Sequence, residues 1–223
     1  MKDVPDLVYE FRRCMLYPDR KERVECVKRV VEKIPPKEKV KSYSLFLKFR
    51  RETGGRLSDL ILEVPDEYLK KLRKDVVNIL WRRRLQDIKH ILNIFSVDWD
   101  EVDVRLRRYY PRQVYINAED EGRNLRNFLA MGRITGCTQE VPATVVRAGE
   151  STPPVVFAGH TTAVSMAVCM KPIQVIEVTL PEYLKDSRFF KLARRNLQEF
   201  AIDPCGIGFY KKEKPIKEYN PLE

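Results

Sequence analysis

Apolar positions recur along this chain with two different periods, and the period changes near residue 96. From Asp19 the stripe Val24, Val27, Val31, Ile34 advances by three and four residues, which gathers it on one face of a helix that "IPP" ends. Asp3 and Asp19 each stand three residues before an acid and are predicted N-caps of the first two helices. A third helix is predicted over about 37–53, with the glycines at 54–55 as its stop. The longest helix is predicted over 66–95. Its stripe Leu69, Leu72, Val76, Leu80 changes phase to Trp81, Leu85, Ile88, Leu92, Phe95, so its two halves are expected to meet different neighbours.

After "SVDWDE" the pattern alternates. Val102, Val104 and Leu106 are separated by charged residues, as in a half-buried strand, and "QVYIN" gives a second short one. "NAEDEGRNLRNFLAM" predicts a helix capped by Asn117. The β-branched runs at 141–148, 153–158 and 172–178 predict three strands, followed by a helix over 180–201 and a last strand over 206–211. "TPPVVFAGHTTAVSMAVCM" reads as buried sheet and turn, with His160 in the turn. The expected class is α+β: a helical region over 1–97 of about four helices, then a small mixed α/β sheet domain over 98–223.

Composition changes this picture in two places. No apolar run reaches the ~20 residues of a membrane-spanning helix, and "MKDVPDLVYEFRR" meets charge too early for a secretory signal. Five cysteines (14, 26, 137, 169, 205), an odd number without a CxxC pair, fit reduced thiols better than a disulfide framework. A protein of the cytoplasm, nucleus or nucleoid that is neither secreted nor bound to a membrane is therefore expected. The net charge of +10 is concentrated: residues 1–110 hold 27 Lys and Arg against 19 Asp and Glu, whereas 111–223 hold 15 against 13. Such a field attracts polyanions, nucleic acid first; its bland counterpart is a solvated surface rich in Lys, Arg and Glu.

The most suggestive local run is "RLRRYYPRQVY". Arg105, Arg107, Arg108 and Arg112 are interleaved with Tyr109, Tyr110 and Tyr115, and single-strand binders combine such cations with aromatic faces on which bases stack. The structural counterpart is a strand–turn–strand with tyrosines packed inward. On the predicted 180–201 helix, Lys185, Arg188, Lys191 and Arg195 fall on one side and would track a phosphate backbone, unless they form a solvated face. In "LWRRRLQDIKH" Trp81 and Leu85 are expected inside, Arg82 and Lys89 on a shared solvent face, and Arg83 paired with Asp87. Lys48, Arg50, Arg51 and Arg56, with Lys211, Lys212, Lys214 and Lys217 in the tail, add unspecific charge.

The order helix, three strands, helix, strand over about 117–211 resembles the restriction-endonuclease-like, or PD-(D/E)XK, core. That resemblance implies carboxylates on two neighbouring strands holding a divalent metal, with a lysine beside them. Glu177 in "IEVT" is the available carboxylate, but Thr179 stands at the lysine position and "PPVVFAGHTTAV" carries no acid. "TLPE" also reads as a capping box with Thr179 as the cap. Glu177 is more simply a strand carboxylate paired with a nearby Arg or Lys. A zinc site of Cys137, Cys169, Cys205 and His160, or a Cys205–His160 nucleophile, has no supporting spacing, and no P-loop or dinucleotide motif is present.

The sequence thus predicts a non-enzymatic nucleic-acid-binding protein that needs no cofactor and contacts DNA or RNA through backbone and stacked bases. Its expected contacts are Arg105, Arg107, Arg108, Tyr109, Tyr110 and Arg112, then Arg188, Lys191 and Arg195, with further protein subunits as possible partners. The alternatives are a metal-dependent nuclease using Glu177 and an assembly protein that docks an acidic partner or itself.

Overall fold

The computed structural model describes residues 4–34, 44–117, 130, 134 and 137–202. The N-terminal helices form where the periodicity places them. Helix α1 (Val4–Cys14) buries Val4, Leu7, Phe11 and Cys14, and α2 (Arg20–Glu32) buries Val24, Val27, Val30 and Val31. The Asp19 carboxylate caps α2 by accepting the Glu22 N–H at 3.0 Å, which satisfies one of the unpaired donors of the first turn. Asp3 lies outside the described residues. Helix α3 spans Ser44–Thr53, and Gly54 leaves it in the left-handed region at φ 71°. A short α4 (Leu57–Glu63), absent from the periodicity reading, precedes α5, which runs Asp66–Phe95 as expected.

Six described strands form the sheet: β1 (Asp103–Tyr109), β2 (Tyr115–Asn117), β3 (Ala143–Ala148), β4 (Val155–Ala158), β5 (Ile173–Leu180) and β6 (Ala193–Asn196). Their order is β1-β5-β3-β4-β2-β6 in one mixed sheet, with β1 and β6 at its edges among the described residues. β1 runs antiparallel to β5 with Arg105 opposite Glu177, and β3 runs parallel to β5 with Val145 opposite Glu177. The fold class is α+β, as the sequence predicts.

Alternation along the strands gives the sheet two unlike faces. Val104, Val146, Ile176, Val178 and Leu180 join α1, α2 and α5 in one apolar core, where each fully buried aliphatic side chain contributes roughly 1.5–3 kcal/mol. On the other face Ala143, Val145, Ile173 and Val175 are covered by α6 (His160–Val168) and α8 (Leu197–Ile202), chiefly through Ala163, Val164, Leu197 and Phe200. That apolar cover ends at Val145 and Val175. The next residues on the same face are Arg147, Glu177 and the odd-numbered residues of β1, and they form a polar cluster.

Several sequence expectations are corrected. The stretch after β4 is a helix, not sheet and turn: Gly159 turns the chain at φ 77° and His160 opens α6. A side chain at 159 would lie 3.0 Å from the Ala143 Cα and from Arg84 Nη1, so the strand-to-helix turn requires glycine. The helix expected over 180–201 is broken into a 3-10 turn (Glu182–Asp186), the single-turn α7 (Arg188–Lys191), β6 and α8. Thr179 is a strand residue rather than a cap, because β5 continues to Leu180 and Pro181 begins the turn. Phe189 and Phe190 draw this segment inward, packing edge-on against each other and onto Phe95. Arg82 is buried, not on a solvent face with Lys89, and Asp87 pairs with Arg84 at 3.1 Å. Cys14 is bonded to Cys26 and Cys137 to Cys169, which overturns the expectation of reduced thiols and consumes two of the four suggested zinc ligands. The odd total had concealed two pairs. Cys205, the 206–211 strand, the lysines of the tail and most of the helix expected after Asn117 lie outside the described residues. No helix among the described residues is long and apolar enough to cross a membrane.

Candidate nucleic-acid interface at the edge of the sheet

Among the described residues β1 pairs with one strand only; the α1–α2 turn stands beside part of its other side, and the exposed side chains of the strand are charged. Arg107 and Arg108 are exposed, and Arg105 is half-buried. After β1, Tyr110 is 58% exposed and Arg112 is exposed on the 3-10 turn Pro111–Gln113, whose start is fixed by the Gln113 side chain accepting the Tyr110 N–H at 2.8 Å. Four arginines and an exposed tyrosine thus follow one another along an edge strand and the turn that leaves it.

Two carboxylates anchor the row. Asp103 accepts from Arg23 Nη2 at 2.8 and 3.0 Å and from Arg105 Nε at 2.7 Å. Burial pushes the Asp103 carboxyl up, but the hydrogen bonds and charges of Arg105 and Arg23 outweigh it and hold the group below the usual range. Glu177 is 1% exposed and accepts a hydrogen bond from the Tyr109 hydroxyl. Arg107 Nε lies 3.7 Å and Arg147 Nη1 4.0 Å from its oxygens. Burial, then the bond to Glu177 and its negative charge, push the Tyr109 phenol up to about 12. Glu177 is therefore a paired strand carboxylate, and Tyr109 serves it rather than presenting a face for a base. A divalent cation there would have to displace a phenol and two guanidinium groups. Among the described residues no group of three or more potential ligands is placed to hold a metal.

The remaining predicted residues are not gathered into one stripe. Arg188 and Lys191 are exposed on α7, whereas Arg195 lies on β6, the edge opposite β1, with its guanidinium 5.4 Å over the Phe200 ring. His160 is buried at the start of α6, and His90 stands edge-on to Phe157 at 5.8 Å.

Residues the sequence reading passed over stand beside β1. The turn between α1 and α2 carries Leu16, 80% exposed, and Tyr17, 43% exposed, and with Arg23, Arg105 and Arg107 it lines a cleft of about 270 Å³. Arg23 ties the turn to the strand, donating to the Tyr17 and Pro18 carbonyls at 2.7 and 3.1 Å while it grips Asp103. Nothing in the local pattern of "CMLYPDRKER" marks this, because the partner, Asp103, is eighty residues away.

The fold and site define an α+β protein with a mixed sheet whose exposed edge is cationic. No family model matches the chain, and no curated protein or solved structure is significantly similar to it.

Proposed function

We propose that the chain binds nucleic acid, with β1 and the following turn gripping the phosphate backbone and Tyr110 offering a face to a base. The observation that carries this reading is the run of Arg105, Arg107, Arg108 and Arg112 along β1, an edge strand among the described residues, and the turn after it, with an exposed tyrosine among them. Arginine side chains there reach phosphates without leaving a core position, and each phosphate neutralised releases counterions. Arg105 and Arg107 are partly neutralised by Asp103 and Glu177, so Arg108 and Arg112 supply most of the uncompensated charge. The nuclease alternative finds no support in Glu177, whose oxygens are already engaged by Tyr109, Arg107 and Arg147.

Fluorescence anisotropy with labelled single- and double-stranded DNA and RNA tests the proposal. Affinity is expected to fall linearly in log–log form with salt, and Arg108→Ala with Arg112→Ala to weaken binding and reduce the salt slope by about 2. Absence of binding to any of the four probes at low salt would refute it and direct attention to an acidic protein partner.

A further inference from the structure

Resting on that reading, we infer that the binding path does not stop at β1 but crosses the α1–α2 turn, with Leu16 and Tyr17 as the platform for a base, and continues into a second cationic cleft for single-stranded nucleic acid. This cleft, about 370 Å³, lies between α1 and α2 and is lined by Arg13, Arg29 and Lys33, with Glu10 as its acid. Leu16 and Tyr17 line both this cleft and the one beside Arg105 and Arg107, so they form the ridge between them.

Three observations favour a strand of nucleic acid over other occupants. The first is rigidity. The Cys14–Cys26 bridge closes the turn from one side, and Arg23 holds its carbonyls from the other. An exposed Leu–Tyr pair on so fixed a turn is a preorganised stacking surface, not a frayed loop. The second is charge. The lining of this cleft carries Arg13, Arg29 and Lys33 against Glu10, a net positive surplus. The third is contrast with the other flank of α2. There a larger cleft, about 580 Å³, is lined by Arg20, Lys21 and Lys28 against Glu25, Asp98 and Asp100. Charge cancels on that side, so cavity size does not choose the path; the cationic surplus and the aromatic ridge do. Cations on both sides of a tyrosine suit a backbone that passes over it with one base laid on the ring. A duplex, whose bases are already stacked, gains nothing from that ring.

The test uses the full oxidised chain and oligothymidines of about 4 and about 12 nucleotides, a range that single-strand sites span. The longer probe is expected to bind tighter than its extra registers alone explain. In Tyr17→Ala with Arg29→Ala, two exposed positions outside the core, the 12-mer is expected to weaken roughly tenfold or more, since one base stack and one phosphate contact are lost. The 4-mer, held at β1, should change less than about twofold. If the 12-mer binds the variant as it binds the wild type while Arg108→Ala with Arg112→Ala still weakens it, the extended path is wrong and the β1 site stands. Should neither oligomer bind the wild-type chain, the β1 reading itself fails.

Discussion

Replacing Arg23 by alanine removes the residue that fastens the helical layer to the edge of the sheet. Its side chain is 4% exposed and makes a two-pronged contact with Asp103, 16% exposed, while also donating to the Tyr17 and Pro18 carbonyls. Removing one partner of a buried ion pair costs roughly 3–5 kcal/mol, because the other charge stays behind in a poor solvent. Asp103 keeps Arg105 at 2.7 Å, which places the expected loss at the low end, about 3 kcal/mol. Arg23→Lys retains the charge but not the planar fork and should lose less, about 1–2 kcal/mol. Urea unfolding followed by circular dichroism reads these losses as shifts in midpoint at constant slope. In an Asp103→Asn background the cost of Arg23→Ala should shrink by about 1–3 kcal/mol, the coupling of groups in direct contact. The acid limb carries an independent sign. Asp103 titrates below its unfolded value, so its contribution is present above about pH 4 and is lost as pH falls through the folded value. Arg23→Ala brings the folded value back toward the unfolded one, so the variant should lose less stability than wild type as pH falls through that window. A loss under about 1 kcal/mol with no coupling would show the pair to be no better than an exposed one and would refute the account of how the turn is held.

Two further outcomes follow from groups already described. Ultraviolet titration should reveal a tyrosine that ionises only near pH 12, and Tyr109→Phe should remove it; because the folded value is raised, the stability that Tyr109 lends is intact below about pH 10 and is lost between there and about pH 12. Reducing agent should lower thermal and urea stability: bridges closing loops of 12 and 32 residues restrict the unfolded chain by roughly 3 and 4 kcal/mol, and Cys14→Ser with Cys26→Ser should reproduce only the smaller share. Identical melting with and without reductant would contradict it.

The helical region was legible because its information is local. The Asp19 cap, the glycine stop after α3 and the full length of α5 can each be read from residues within a few turns. Beyond residue 96 the strands were legible from alternation, but two helical errors had opposite causes. The apolar run after Gly159 reads as sheet because this largely buried helix carries no charged residue to reveal its periodicity. The 180–201 segment has the right spacing for a helix, yet tertiary packing of Phe189 and Phe190 and pairing of β6 with β2 break it. The candidate site divides along the same line. The arginines and Tyr110 were visible as a run in sequence, whereas Arg23, Arg147, Leu16 and Tyr17 reach the site through contacts that only the sheet register and the α1–α2 turn create.

An unpaired strand edge is also a template for another copy of itself, since its free N–H and C=O groups accept any extended segment. In β1 part of that edge is already closed, because the Val104 N–H bonds the Asp103 carboxylate at 2.8 Å and the α1–α2 turn stands beside the strand, and the exposed Arg107 and Arg108 repel a second edge brought alongside the rest. The cations proposed to hold a polyanion therefore also keep the molecules apart. On the proposed reading, phosphates that neutralise these cations would remove that repulsion at the moment a strand is bound.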